Sequence, residues 1–360
     1  MYRLDTEEIP EPLAPARWDW SAVQRVLLVR LRSIGDTVLS TASVYALKRF
    51  LPNAAIDVLV EDWVAPVLQA HPSISKVVTL QRSSLISRAK VARQLRAARY
   101  DVAYNLHGGT TASMLTRASG ANHRVGFASY QYSQFHNHRA PSPLLLWGQQ
   151  KTHSVEQQLA LLGWTGIPVT DRPATQLGIT SESAAVVIER LAAAGLGGRK
   201  FAVVHPAAAF ATKQWAADNF ARVAEFLADR GLATVAIAAP HETPVLETLT
   251  SSSKVGITVL HLSLPEVSAL LSKAQLFVGN DSGIAHMAAA LGIPTAVVFG
   301  SSNIAHWRPW SRSRSEVIFE PTPCQPCHGY FCEKFQEPEC ILRVPVSRVT
   351  AAVDRLISAQ

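Results

Sequence analysis

Cysteine is confined to one place in this 360-residue chain: all four residues fall between Cys324 and Cys340. Every expected core element is therefore built without thiols. That excludes a disulfide-stapled scaffold and fits a reducing compartment with one local cysteine site. No apolar run approaches the roughly 18 residues that cross a bilayer, so no spanning helix is expected. The opening MYRLDTEEIPEPLAPARWDW is acidic and proline-rich and has no apolar core. It is not a secretory signal, and residues 1–24 are expected to form a flexible arm on a cytoplasmic protein. Long-period repeats and low-complexity tracts are absent as well.

A hydrophobic content of 48% with 17% charged residues describes a globular chain, long enough for two domains with full cores. The formal net charge of +7 points to an anionic partner. Nucleic acid is set aside, because no RNA-binding signature or zinc-finger spacing occurs. Acidic lipid and phosphorylated sugar remain.

Apolar runs alternate with helical patterns along the whole chain. Strands are predicted at 25–31, 56–60, 76–80, 101–106 and 123–127, with helices at 34–50 and 62–69 and a basic helix at 85–98. The segment 129–150 is read as a long loop bearing Tyr130, Tyr132, Phe135, His136, His138 and Arg139. A loop of that length inside an α/β domain is usually functional or mobile. A helix at 151–162 and a Gly-, Pro- and Thr-rich linker at 163–179 close this half. The second half repeats the alternation: strands at 201–204, 233–238, 259–262, 276–278 and 294–299, helices between them, and a last helix at 346–358.

The most informative stretch is QLFVGNDSGIAHMAAALGIPTAVVFG, residues 275–300. It reads as a strand, a turn, a helix and a second buried strand. The turn Asn280-Asp281-Ser282-Gly283 offers a capping side chain, a hydroxyl and a glycine where a helix start leaves N–H groups unpaired. Such an end, at the carboxyl edge of a parallel strand, suits phosphate oxygens, and His286 falls in the first turn. Two other strand ends carry chemistry. After the first strand the G-x-G-x-x-G of a dinucleotide fold is missing, and Asp36 stands in the first helical turn. That carboxylate is either a favourable helix-end charge or a general base. After strand 201–204 come Thr212 and Lys213, where a lysine can neutralise a diphosphate as a point charge. Glu242 follows strand 233–238, where a carboxylate can hold ribose hydroxyls.

Three segments together, VLLVRLRSIGDTVLSTASVYALKRFLP, HPAAAFATKQWAADNFARVAEFL and FVGNDSGIAHMAAALGIPTAVVFG, resemble the lipopolysaccharide heptosyltransferase family. The resemblance runs from about Arg25 to the C-terminus. It implies an α/β protein of GT-B architecture, two Rossmann-like β/α/β domains facing across a cleft. An acceptor-side domain would span 25–173 and a nucleotide-sugar-binding domain 174–345, with the final helix, 346–360, packing back on the first. It implies an inverting transfer of heptose from ADP-heptose to the inner core of lipopolysaccharide. Carried over position by position, the catalytic base falls on Asp36. The diphosphate-binding lysine falls on Lys213, beside Thr212, and the donor-contacting segment on Asp281, Ser282, Gly283, Ile284 and His286. Glu242 stands in for the ribose-binding carboxylate.

No Asp-x-Asp pair occurs, so a divalent-metal grip on the diphosphate has no support in the sequence, and no cofactor is expected for catalysis. The expected partners are the nucleotide sugar and an anionic lipid-linked saccharide, met on the cytoplasmic face of the inner membrane through peripheral contact. The spacing Cys324-x2-Cys327-x4-Cys332-x7-Cys340 is compact and metal-like, a candidate structural zinc site with disulfides or free thiols as the alternatives. Three rival functions stay open: a related enzyme moving another sugar to a surface glycan, a nucleotide-sugar isomerase on the same fold, and a non-catalytic carbohydrate-binding protein.

Overall fold

Residues 9–327 and 330–358 are described by a computed structural model, in which the chain forms two compact units dividing between Gln176 and Leu177. The boundary falls inside the predicted linker. In the first unit the strands are β1 (Arg25–Val29), β2 (Ala55–Glu61), β3 (Lys76–Leu80), β4 (Val102–Asn105), β5 (His123–Phe127) and β6 (His138–Ala140). The helices are α1 (Ile34–Phe50), α2 (Leu85–Ala97), α3 (Thr110–Ser119), α4 (Pro143–Trp147) and α5 (Ser154–Trp164). All six strands pair in parallel, in the order β3-β2-β1-β4-β5-β6. Runs such as VLLV in β1 and IDVLV in β2 are buried nearly throughout, as expected for a parallel sheet covered on both faces.

The second unit holds β7 (Phe201–His205), β8 (Ala233–Ile237), β9 (Ile257–Leu260), β10 (Leu276–Asn280), β11 (Thr295–Val298) and β12 (Ser315–Ile318). Its helices are α6 (Ser181–Ala193), α7 (Ala217–Ala228), α8 (Thr243–Ser252), α9 (Leu264–Leu271), α10 (Gly283–Ala290), α11 (Ile304–Trp307), α12 (Glu339–Leu342) and α13 (Val346–Ile357). The sheet is again parallel, ordered β12-β11-β10-β7-β8-β9. Read from the other edge, this is the winding of the first unit. Each chain path starts at a central strand, runs to one edge, then returns to the centre and runs to the other. Both units are thus Rossmann-like, and each has one point where the winding reverses: between β1 and β4, and between β7 and β10.

Three expectations are corrected. The arm is not loose from Ile9 onward. Leu13 and Ala14 N–H groups donate to the Gly163 carbonyl at 3.0 and 3.1 Å, Trp20 Nε1 donates to Thr165 O at 3.0 Å, and Arg17 sits 4.3 Å from the Trp164 ring. Its aromatic side chains outweigh its prolines and acids; residues 1–8 lie outside the described residues. The long loop 129–150 is also structured, supplying β6 and α4; a three-residue strand is too short to show a period in sequence. The last helix, finally, is used within the second unit. Val349, Ala352, Val353 and Leu356, spaced as one helical face, are buried in the core formed with Trp215, Phe220, Val298 and Ile318.

Burial also sets a pH limit on the first unit. His71 is 5% exposed, and loss of solvation pushes its pKa down from 6.5 to about 4. The folded form holds it neutral while the unfolded chain takes up the proton, so stability is intact above pH 6.5 and is lost as pH falls toward 4. The share of this one residue is about 3 kcal/mol. Urea unfolding of His71→Asn should therefore show a smaller loss between those pH values than the parent. An identical pH slope would remove His71 from that role.

Candidate active site

Ligands of open parallel sheets bind outside the carboxyl ends of the strands where the winding reverses. In the first unit those ends are β1 and β4. The chain leaves β1 through Arg30 to Ser33 and enters α1, whose first turn is closed by a reciprocal cap: Asp36 Oδ2 accepts from the Ser33 N–H at 3.1 Å and from its hydroxyl at 3.2 Å. The Arg30 guanidinium pairs with the other oxygen, Asp36 Oδ1, and with the Leu106 carbonyl beyond β4. Burial would raise the Asp36 pKa. The Arg30 charge and the Ser33 hydrogen bonds outweigh it and hold the carboxyl below its ordinary value. Asp36 is thus an ionised carboxylate at a reversal point, able to accept a proton from a group brought to it.

Beside it, β4 ends in Asn105, whose Oδ1 accepts from the His107 and Gly108 N–H groups at 3.1 and 2.9 Å. The His107 pKa falls to about 4, through burial first and then the charges of Arg30, Arg32 and Arg82, against the opposing pull of Asp36. It is neutral at physiological pH. Gly108 has φ of +81°, and a Cβ there would lie 2.6 Å from the Tyr130 ring, so glycine alone permits this turn. Two members of the predicted long loop close on this turn: His136 Nε2 meets Asn105 Nδ2 at 3.3 Å, and Tyr130 packs on Gly108, with its phenol pushed up to about 12 by burial against the lowering charge of Arg30. Arg30 carries no pattern that marks it in sequence; Tyr130 is expected in the long loop, and only its approach to the His107-Gly108 turn is not legible there.

The second unit brings most of the predicted donor residues together. Lys213, in a 3-10 turn after β7, places Nζ 2.9 Å from Asp281 Oδ2 at the end of β10. The Ser302 hydroxyl donates to the same carboxylate oxygen. Asp281 therefore does not cap α10, as a bare Asn-Asp-Ser-Gly turn would suggest. Ser282 does: its Oγ accepts from the Ala285 N–H at 3.4 Å and meets His205 Nδ1 at 3.3 Å. This division is physically sensible. The lysine ammonium has three donors, and a single carboxylate can aim it while leaving charge for a ligand. Thr212 is buried, with its carbonyl accepting from the Ser301 N–H at 3.1 Å and its hydroxyl from Ser301 Oγ at 3.0 Å. Gly283 and Ile284 open α10, where amide groups point past the helix start; His286 is buried one turn on.

Glu242 is tied down locally. Its Oε2 accepts from the Ala239 N–H at 2.8 Å and lies 4.0 Å from His205 Nε2. His205 itself is driven to a pKa of about 4 by burial, against the opposing effect of Glu242, and is neutral. Asn280, read in sequence only as part of the turn, proves central. Its side chain accepts from the Trp215 N–H at 3.0 Å and donates to the Pro206 carbonyl at 2.8 Å, fixing the β7 loop to β10.

The cysteine segment braces these loops. Gln325 Nε2 donates to Gly300 O at 2.6 Å, the Cys327 N–H to Ser301 O at 2.9 Å, and Tyr330 packs edge-on to Phe210 at 4.4 Å. All four cysteines are free thiols. Burial, then the proximity of Cys327, Cys324 and Cys332, pushes the Cys340 thiol up to about 11. Yet among the described residues no three His, Cys, Asp or Glu side chains are arranged to hold a metal, so the tetrathiolate geometry is not formed. His328 and Gly329 lie outside the described residues.

Comparison with known proteins places this geometry in a class. The model for "Glycosyltransferase family 9 (heptosyltransferase)" matches residues 88–336, and the chain belongs to that family. Two curated relatives show how far the likeness extends. Lipopolysaccharide heptosyltransferase 3 of Escherichia coli is 28% identical over 91% of this chain and 97% of its own. Lipopolysaccharide heptosyltransferase 1 of Pseudomonas aeruginosa is 24% identical over 93% and 98%. Among solved structures, E. coli ADP-heptose LPS heptosyltransferase II superposes with a TM-score of 0.77 at 22% identity, covering 93% of this chain and 99% of that one. E. coli heptosyltransferase WaaC with ADP gives 0.70 at 21%, covering 92% and 100%. The fold is that of these GT-B enzymes, and the protein is a glycosyltransferase.

One close approach tests the loops of the second unit directly. A Cβ on Gly300 would lie 2.1 Å from the Thr212 carbonyl oxygen and 3.0 Å from Ile341 Cβ. Gly300→Ala must push the Thr212–Lys213 turn away, at a cost of about 1–3 kcal/mol. Denaturant unfolding at parental stability would show that the loops do not meet this closely.

Proposed function

We propose that this glycosyltransferase moves a heptose from ADP-heptose to the inner core of lipopolysaccharide, with inversion and without a catalytic metal, at the cytoplasmic face of the inner membrane. The observation that carries the reading is that each unit bears its own chemistry at its reversal point: an ionised carboxylate, Asp36, in the first, and a lysine beside a helix start in the second. The relatives are lipopolysaccharide heptosyltransferases, which supports heptose as the sugar and lipopolysaccharide as the acceptor. Asp36 acts as the general base, taking the proton from the acceptor hydroxyl as that oxygen attacks the anomeric carbon. A carboxylate held below its usual pKa is always ionised but is a weak base. Proton transfer is therefore late, completed once bonding to the sugar has made the hydroxyl acidic.

The leaving nucleoside diphosphate gains negative charge as the glycosidic bond breaks. Lys213 and the amides of Ser282, Gly283 and Ile284 meet that charge, the lysine supplying the cation that a bound metal provides elsewhere. Thr212 and Asp281 hold the lysine turn, while His286 and Glu242 complete the donor contacts. Cys324, Cys327, Cys332 and Cys340 take no part in this mechanism.

Asp36→Asn keeps shape and helix-start hydrogen bonding but removes basicity. Transfer should fall by about 10²–10⁴-fold with folding and donor affinity nearly unchanged. A folded variant that transfers at near the parental rate would sink the assignment. Arg30→Gln removes the charge that lowers the Asp36 pKa, so the acidic limb of the kcat/KM profile should move to higher pH. A limb that stays in place would separate it from Asp36. A thermal-shift panel of ADP-, UDP-, GDP- and CDP-sugars tests the donor. Only the matching nucleotide, at about 100 times its Kd, should add roughly 2.7 kcal/mol.

A further inference from the structure

One surface of the first unit takes no part in this chemistry. From the end of β3 to residue 100 the chain carries Arg82, Arg88, Lys90, Arg93, Arg96 and Arg99 and no acidic residue. Helix α2 turns Val91 and Leu95 into the core, and leaves Lys90 and Arg93 exposed on its outer face. Its first turn also presents two large aliphatic side chains to solvent, Leu85 at 75% and Ile86 at 83% exposure. Nothing in the packing of α2 asks for aliphatic side chains there. An exposed Leu-Ile pair on an otherwise basic helix calls for a partner that is apolar and anionic at once.

The neighbouring turn fits the same partner. Trp63 is 50% exposed, and its indole N–H is fixed by Glu61 Oε2 at 2.9 Å. An open depression of about 560 Å³ separates this tryptophan from Arg82 and Arg88. The Arg88 guanidinium donates twice to the Arg82 carbonyl, at 3.0 and 2.6 Å, which holds the β3–α2 turn in shape. The acids at this edge are Glu61, 3.8 Å from Arg82, and Asp62, whose Oδ1 accepts from the Trp63 N–H. A second exposed apolar turn exists in α4, at Leu144 and Leu145, but the stretch 141–150 contains no charged residue. Charge separates the two patches.

We propose that the β3–α2 turn together with Trp63 is the surface that docks on an anionic phospholipid bilayer. Leu85 and Ile86 enter the boundary between headgroups and acyl chains, and Trp63 lies at headgroup depth, where amphipathic rings settle. Arg82, Lys90 and Arg93 face the phosphates. This rests on the peripheral membrane contact proposed above and specifies which face makes it.

The test is co-sedimentation of the full chain with vesicles of phosphatidylcholine, with and without phosphatidylglycerol. Binding should need phosphatidylglycerol, and should weaken when ionic strength rises from about 0.1 to about 1 M, which shortens the Debye length from ~10 to ~3 Å. Leu85→Ser/Ile86→Ser should lower partitioning about tenfold or more, and Lys90→Gln/Arg93→Gln about tenfold with a flatter salt dependence. Leu145→Ser should change nothing. Unchanged partitioning of the Leu85/Ile86 variant overturns the proposal, as does loss of binding in Leu145→Ser. So does a self-association by size exclusion that the Leu85/Ile86 variant abolishes, because a second copy would then cover the turn. Transfer to a soluble, delipidated acceptor keeps the two readings apart. If transfer proceeds while partitioning ignores Leu85 and Ile86, only this surface fails; if vesicle binding follows the pattern above and no transfer occurs, only the function fails.

Discussion

The constraint on which this chain depends is the reversal of winding in each parallel sheet. Successive crossovers in a parallel sheet share one hand, so a path that runs outward from the centre and then resumes at the centre sends its next helix to the opposite face. The loops after β1 and β4 therefore separate above the sheet, as do those after β7 and β10, and each gap exposes strand ends and helix starts together. Asp36 occupies the first gap and Asp281, Ser282 and Gly283 the second. No side-chain interaction had to create these openings. The polar contacts only decide what they present.

In both units that decision is made by an arginine or lysine paired with a carboxylate, with opposite emphasis. In the first, Arg30 serves Asp36, keeping a mostly buried carboxylate charged. In the second, Asp281 serves Lys213: the acid is 5% exposed at its side chain and the lysine 23%. The more exposed partner of each pair is the one proposed to meet the substrate. Pairing costs desolvation in both places, and removal of either partner would strand a buried charge.

Sequence carried the sheets and the strand-end residues because both follow from local signals. Apolar runs flanked by polar, charged or proline residues mark β1 and β7, the run of β10 ends in Gly279-Asn280, and the turn residues after them are contiguous. The missed features are those with long-range causes. Residues 138–140 become a strand only because β5 leaves an open edge, and β12 likewise exists to pair β11. Trp20 and Leu13 anchor a proline-rich arm to Gly163 and Thr165, far along the chain. His107, Tyr130 and Arg30 come together through tertiary folding alone, and Asp281 exchanged the expected capping role for an ion pair set by Lys213, 68 residues earlier. Local patterning cannot encode a partner at that separation.

The strand order of the second unit also has a consequence for the chain as it is being made. β7, β8 and β9 emerge in sequence and can pair at once, but the other edge of β7 waits for β10. The Asn280 amide that closes onto Pro206 is translated 74 residues later. At roughly 5–20 residues per second, that is on the order of several seconds for a nascent domain whose central strand, buried throughout once folded, offers an unpaired edge. The hazard is greatest at the middle of the sheet, where exposed backbone and apolar side chains coincide. A ribosome-associated chaperone would find its natural target in Phe201–His205, and the ion pair around Lys213 can take shape only after that wait is over.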